Sequence, residues 1–249
     1  LGSNITYVDH IAVPYSYRMT GGNCTSEDQA VCATPLATLD LANNCPPGLL
    51  RTSPSGVQMC MAPRTYCDGL PNKGIGTGDP RCDPAVPGVA QDLMAQLKAC
   101  CNAGKCTGAQ CVFPGAKMVV GGSVGGSGSG PIPVQPHDIW ACEDSFALDS
   151  PRCAMFQRGL FASGSGKTFG DADDAYLADG CTTGNAGLYE CQDSSYYGCA
   201  PYNDYCTWIH SPTGCPGNYC QPYDDQGGLG GYRVCNPTAV TIDLCEGDK

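Results

Sequence analysis

The chain has 249 residues, of which 20 are cysteine, 34 glycine and 20 proline, with a formal net charge of −11. An acidic chain in which only 15% of residues are charged lacks the basic face that nucleic acids and anionic lipids require. It also lacks an apolar run of the roughly 18 residues that a membrane span needs. The high and even cysteine count predicts disulfides and an oxidising compartment.

The first predicted elements in chain order are one or two strands. Residues 4–17 ("NITYVDHIAVPYSY") are rich in β-branched and aromatic residues, which favour strands. Residues 36–50 mix short apolar runs with the turn "NNCPPG". The segment from Val89 to Leu97 predicts the one clear helix, since Val89, Leu93 and Leu97 recur at helical spacing and Pro87-Gly88 precedes it.

The second half of the chain is less regular. Residues 121–130 ("GGSVGGSGSG") predict a flexible tether or a long surface loop. Residues 137–206 are rich in cysteine and tyrosine and show no clear period. Residues 232–245 alternate in places and predict a terminal strand.

No motif indicates a cofactor or a metal. "SGSGKT" at 163–168 resembles a phosphate-binding loop but lacks its first glycine, so we interpret it as an ordinary loop. "DADDAYLADG" at 171–180 lacks a calcium-loop ligand at Ala175 and the closing glutamate, which favours a solvated acidic loop. The three histidines are scattered rather than spaced as zinc ligands. We therefore expect no metal and no cofactor.

Aromatic residues crowd into one stretch between cysteines. Such rings suit sugar recognition or a protein partner, or they fill a small disulfide-stapled core. The residues are Tyr189, Tyr196, Tyr197, Tyr202, Tyr205 and Trp208.

Two sequons agree with secretion. Asn4 and Asn23 each begin an Asn-X-Thr motif, so both are predicted glycosylation sites. We expect a mature, secreted, extracellular glycoprotein from which a signal peptide has been removed.

The cysteine order resembles that of the C-terminal half of the thaumatin-like proteins. The similarity rests on "YVDHIAVP" at 7–14, "CPPGLL" from Cys45, "CCNAGKC" at 100–106, "CPGNYCQPYDD" at 215–225 and two further cysteines. The resemblance implies an all-β fold: a disulfide-rich thaumatin-like β-sandwich with irregular loop regions, one short helix and a Cys-rich insertion.

The resemblance also implies domains and disulfides. Residues 1–106 and 207–249 would be the two thaumatin-like segments, and residues 107–206 a Gly/Ser-tethered insertion rich in cysteine and tyrosine. The implied pairs are Cys24–Cys235, Cys32–Cys215, Cys45–Cys60, Cys67–Cys100 and Cys101–Cys106.

The family's first hundred or so residues have no counterpart here. A sandwich without those strands exposes open sheet edges, which something must cover. The alternatives are the insertion, a second chain such as a cleaved upstream fragment that supplies the missing strands, and neighbouring subunits in a self-assembly.

The family's acidic cleft is matched only in part. Asp9 and Asp224 or Asp225 match its aspartates, Tyr223 lies beside them, and Asn4 stands where another aspartate belongs. Because glycoside hydrolysis needs two suitably spaced carboxyl groups, we expect no catalytic residues and carbohydrate binding through Asp9, Tyr223, Asp224 and Asp225.

Three functions remain open from the sequence. The first is a non-catalytic, secreted thaumatin-like protein that binds cell-wall or extracellular polysaccharide of the β-glucan type. The second is a structural protomer of an extracellular filament or coat, completed by neighbouring strands. The third is a glucan hydrolase that uses acids of the insertion such as Glu143 or Asp144.

Overall fold

Short strands are the most numerous elements in the part of the chain that the structure describes. In this computed structural model the described residues are 2–3, 7, 9–13, 15–25, 29–31, 36–102, 124–126, 129–132, 135–143, 157–159, 202–216, 218–221 and 233–244. They include ten strands, six α-helices and one 3₁₀ helix. They divide into two units, the first comprising Leu1–Thr65 with Asp204–Lys249 and the second Tyr66–Asn203.

The first unit contains three small antiparallel sheets within the described residues. The strands are β1 (Gly2–Ser3), β2 (His10–Ile11), β3 (Tyr15–Thr20), β4 (Gln29–Val31), β5 (Leu50–Thr52), β6 (Gln58–Met61), β9 (Arg233–Val234) and β10 (Ala239–Leu244). In the three sheets the strand orders are β1-β9, β10-β3-β4 and β2-β6-β5. The strands predicted near both ends of the sequence are therefore present as β2, β3, β9 and β10.

In register, β10 pairs with β3 so that Ala239 lies opposite Thr20 and Leu244 opposite Tyr15. The core of the first unit collects apolar side chains from strands, loops and short helices alike. Its buried members include Tyr7, Ile11, Tyr17, Met19, Leu39, Leu49, Tyr205 and Ile209.

The helices of the first unit are short. They are α1 (Leu36–Leu39), α2 (Leu41–Asn44), the start of α3 (Pro63–Asp68) and α6 (Asp204–Ile209). The sequence predicts one helix, and this is wrong: one or two helical turns contain too few residues to show a period in the sequence.

The second unit holds the predicted helix. The helix α4 (Val89–Asn102) begins at the predicted residue and runs five residues further than the predicted end at Leu97. The unit also contains the 3₁₀ helix Pro71–Gly74 and α5 (Pro136–Ala141). The strands β7 (Val124–Gly126) and β8 (Ser129–Ile132) pair antiparallel, so part of the segment 121–130, predicted as a flexible tether or a long surface loop, is strand.

Four disulfides lie within the described residues. Two are implied by the resemblance: Cys24–Cys235, with Cα atoms 5.0 Å apart, and Cys45–Cys60, with Cα atoms 5.7 Å apart. A third pair, Cys206–Cys220, was not predicted, and the fourth pair joins Cys67 to Cys82. Cys215 is also disulfide-bonded. Its expected partner Cys32, and Cys106 with the side chains of Cys100 and Cys101, lie outside the described residues.

The implied pair Cys67–Cys100 is wrong. Cys67 bonds to Cys82, with Cα atoms 5.6 Å apart. The 3₁₀ helix and the turns after it fold the intervening chain back on itself, which brings Cys82 beside Gly74 and close to α3. Each sulfur forms one disulfide, so Cys100 cannot be the partner of Cys67.

The described fold is thus that of a small disulfide-rich β protein with few, mostly short helices. The predicted insertion 107–206 lies largely outside the described residues, and its boundaries stay a prediction.

Candidate functional site

An exposed polar cluster forms around Asp9, directly before β2. The Asp9 carbonyl oxygen accepts a 2.8 Å hydrogen bond from the Ala62 backbone N–H, which joins the strand to the segment before α3. The Asp9 carboxylate is 62% exposed and lies 3.6 Å from Arg64 Nε. Thr65 Oγ1 donates to it at 3.1 Å. We call Asp9, Arg64 and Thr65 the Asp9 cluster.

Buried tyrosines hold the backbone that leads into this cluster. The Tyr7 backbone N–H donates to the Tyr219 carbonyl oxygen at 2.6 Å, and the Tyr7 carbonyl oxygen accepts from the Tyr205 hydroxyl at 2.7 Å. The Tyr7 ring meets that of Tyr15 edge to face, with centroids 5.7 Å apart. Tyr205 in turn meets Trp208 edge to face at 6.0 Å. These contacts fix residue 7, two positions before Asp9, against the core.

Burial raises the pKa of the Tyr205 hydroxyl well above its ordinary value, and the nearby Tyr7 and Asp9 raise it further. The hydroxyl therefore stays protonated and acts as a donor. This is a structural role, because Tyr205 has no exposed surface.

The Asp9 cluster combines hydrogen-bond donors and acceptors around an exposed carboxylate. An ionised carboxylate only accepts hydrogen bonds, a guanidinium only donates, and a threonine hydroxyl does both. An exposed ion pair of this kind adds little to folding stability. The arrangement is suited to forming hydrogen bonds with a polar, uncharged ligand.

Of the predicted carbohydrate-binding residues, only Asp9 belongs to the described residues. Asp224, Asp225 and Tyr223 lie outside them, as does the predicted glycosylation site Asn4.

The second predicted glycosylation site, Asn23, is exposed in the turn after β3. Its side-chain oxygen accepts a 2.5 Å hydrogen bond from the Asn236 backbone N–H.

The aromatic residues of this stretch that the structure describes differ in burial. Tyr205 and Trp208 are buried in the first unit, so they belong to the core, whereas Tyr202 is half-buried. Tyr189, Tyr196 and Tyr197 lie outside the described residues. Of the acids weighed for hydrolysis, Glu143 follows α5 and is half-buried, and Asp144 is not among the described residues.

A second cluster, in the other unit, was missed from the sequence. The His137 imidazole is fully buried in α5. Its Nε2 lies 2.8 Å from Asp68 Oδ1, and its Nδ1 lies 3.3 Å from Lys73 Nζ and 3.9 Å from Asp138 Oδ1. Asp138 also caps α5, since its carboxylate accepts a 2.9 Å hydrogen bond from the Gln135 backbone N–H.

Opposing effects act on the pKa of His137. Burial lowers it, but the neighbouring carboxylates of Asp138 and Asp68 outweigh burial and the repulsion from Lys73, so the pKa is raised above 6.5. One sequence signal could have located α5, which carries His137. It is the helix start "QPHD", a proline followed by an acid in the first turn. The His137 imidazole has no exposed surface, and its contacts join α5 to Asp68 of α3 and to Lys73 of the 3₁₀ helix.

Three further findings bear on function. Among the described residues, no group of histidine, cysteine and acidic side chains is placed to hold a metal ion. The helices described here are too short or too polar to cross a membrane. Family models, curated protein sequences and solved structures were all compared with the chain, and none of them matches it.

Proposed function

We propose that this chain is a secreted, disulfide-stapled protein that binds extracellular or cell-wall polysaccharide of the β-glucan type without cleaving it. The observation that carries the proposal is the exposed Asp9 carboxylate, held beside Arg64 Nε and Thr65 Oγ1 on a backbone anchored by buried tyrosines. A β-glucan is uncharged and presents many hydroxyls, which suits an acidic protein that would repel anionic ligands.

Binding is favoured over hydrolysis by the composition of the cluster. Glycosidases place two carboxyl groups across the scissile bond, one of them as a proton donor. Among the described residues, the Asp9 cluster contains one carboxylate beside a guanidinium and a hydroxyl. In our proposal Asp224, Asp225 and Tyr223 extend the same site as further hydroxyl acceptors and a stacking ring.

We also propose that the three sheets belong to a thaumatin-like β-sandwich. Support comes from the ordered cysteine pattern and from two of the implied disulfides, Cys24–Cys235 and Cys45–Cys60. Several disulfides in one chain also favour a secreted, extracellular location, where thiols stay oxidised.

Retention on insoluble β-1,3-glucan tests the proposed function. The wild type, Asp9→Asn and Asp9→Ala are compared with Asp40→Asn, which removes the same charge from a left-handed position that asparagine tolerates. We expect both Asp9 variants to lose at least about tenfold in retention, since one charged hydrogen-bonding group is worth about 1.5–3 kcal/mol. Asp40→Asn should bind like the wild type.

Two further measurements sharpen the result. Arg64→Gln and Thr65→Val each remove one donor and should weaken retention less than Asp9→Ala. Release of reducing sugar from soluble glucan should stay at background. Wild-type protein that fails to bind, or Asp9 variants that bind as well as the wild type, would overturn the proposal.

A further inference from the structure

Strand β10 is an edge that is apolar on one face. Among the described residues its only strand partner is β3. All six of its residues are exposed. Alternation along the strand places Val240, Ile242 and Leu244 on one face, and these are 46%, 64% and 63% exposed. We call these three residues the β10 strip.

The β10 strip continues a face that is covered on the neighbouring strand. Val240 lies opposite Met19 and Ile242 opposite Tyr17, and residues directly opposite in an antiparallel pair share a face. Met19 and Tyr17 are buried, whereas their partners on β10 are not. The cover over this face therefore ends at β3. The side chains of the β10 strip are exposed, and no strand among the described residues pairs with the outer edge of β10.

We propose that the β10 strip is a self-association surface, at which β10 pairs antiparallel with β10 of a second copy about a two-fold axis through Ile242. This register places Ile242 opposite Ile242 of the second copy and Val240 opposite Leu244 of the second copy. On the other face it places Thr241 opposite Asp243. Apolar residues then meet apolar residues, and the one charged side chain of the strand meets a hydroxyl that can donate to it.

The residue pattern of β10 complements itself in this register, since apolar residues meet apolar residues and the like charges of the two Asp243 side chains do not meet. A shift that aligns Asp243 with Asp243 of the second copy would place like charges directly opposite each other, which is destabilising. Within the described part of the chain, the opposite edge of the same sheet, β4, contributes three residues, compared with six for β10. Pairing β10 with β10 therefore forms more of the ladder than pairing β10 with β4, and it closes as a dimer instead of growing as a filament.

The dimer should be weak and dependent on salt. One six-residue strand pair forms a small interface, which is typical of transient contacts. Each copy carries a net charge of −11, so added salt should strengthen association by screening the repulsion. The expected behaviour is a monomer at high dilution and a dimer at high concentration.

Sedimentation velocity of the full chain over a wide concentration range tests the proposal. Ile242→Lys places two lysines opposite each other at the axis and removes two apolar contacts, so it should raise the dimer dissociation constant at least about tenfold. The control is Val57→Lys, which changes the charge equally at another exposed valine in the turn between β5 and β6 and should leave the dissociation constant unchanged.

The register has its own test. Thr241→Lys would face Asp243 of the second copy twice in each dimer, so it should tighten the dimer about twofold to tenfold at low salt. Far-ultraviolet circular dichroism and a free-thiol count verify that each variant is folded. If Ile242→Lys does not fold, Ile242→Thr is used at the same position, with a smaller expected loss.

The outcomes are distinct. Dimerisation that Ile242→Lys abolishes and Val57→Lys spares supports the proposal, and tightening by Thr241→Lys supports the register. A chain that stays monomeric at every concentration, a dimer that neither β10 variant affects, or assembly that continues beyond the dimer would overturn it.

Discussion

The Tyr205 hydroxyl donates a 2.7 Å hydrogen bond to the Tyr7 carbonyl oxygen, across 198 positions of sequence. This bond ties α6 to the segment just before β2 and lies behind the exposed carboxylate of Asp9. Both partners are buried, so the bond closes the core of the first unit from two distant parts of the chain.

Tyr205→Phe should destabilise the first unit by about 1–3 kcal/mol, because the Tyr7 carbonyl oxygen would remain buried without this donor. The free energy of unfolding is measured by urea denaturation with the disulfides intact. Tyr15→Phe is the matched control: it keeps the edge-to-face contact with Tyr7 and removes a hydroxyl from a half-buried residue. Equal losses for both variants would contradict the role given to this hydrogen bond.

Gly74→Ala should be clearly more destabilising than Gly76→Ala. Both glycines have positive φ, 90° and 76°, so both substitutions carry the same kind of backbone strain. A Cβ at Gly74 would clash with Cys82 Cβ, whereas a Cβ at Gly76 meets open space. We expect an additional cost of about 1–3 kcal/mol for Gly74→Ala from overpacking, measured as the difference between the two unfolding free energies. Equal unfolding free energies for the two variants would mean that the loop closed by the Cys67–Cys82 disulfide shifts to accommodate the added Cβ at no cost.

Peptide mapping checks the Cys67–Cys82 disulfide directly. Trypsin should release Cys67 on residues 65–73, Cys82 on residues 82–98 and Cys100 with Cys101 on residues 99–105. Without reductant we expect the mass of the first two peptides joined, and reduction should split it. A joined mass for 65–73 with 99–105 would instead support the pairing implied by the thaumatin-like resemblance.

The second unit should lose stability as the pH rises above 6.5. The folded-state pKa of His137 lies above this ordinary value, so the folded chain holds the proton more tightly than the unfolded chain. The stabilisation is complete below pH 6.5 and disappears as the pH rises through the raised pKa. Urea denaturation from about pH 5.5 to pH 8.5 should show the decline.

The matched variants separate this histidine from the others. His137→Gln should flatten the decline, because a neutral side chain replaces the imidazole beside Asp68, and His10→Gln at an exposed position should not. A decline that persists in His137→Gln would assign the pH dependence to another group.

Local patterns in the sequence predicted local structure well. The helix α4 follows from apolar residues at helical spacing after Pro87-Gly88, and β3 and β10 follow from β-branched and aromatic runs. These signals depend on neighbours along the chain, so they survive without knowledge of the tertiary fold. The Cys24–Cys235 disulfide was implied by the thaumatin-like resemblance, and the structure contains it.

Tertiary partnerships were beyond the sequence. The histidines are scattered in the sequence, and Asp68 and Lys73 lie beside His137 only because the chain folds back. Cys67 had several candidate partners of equal chemistry, and its choice of Cys82 depends on the turns between them. For Asp9, the sequence supplied the residue, but only the structure supplied Arg64 and Thr65 as its neighbours.

The Cys24–Cys235 bond constrains the order in which the chain can fold during synthesis. Cys24, β3 and β4 leave the ribosome early, yet β10 and Cys235 emerge more than two hundred residues later. The second unit is continuous in sequence and is complete before those partners exist. The second unit can therefore fold before the edge strand of the first unit has been synthesised. If Cys24 were oxidised before Cys235 had been synthesised, it could form only non-native disulfides.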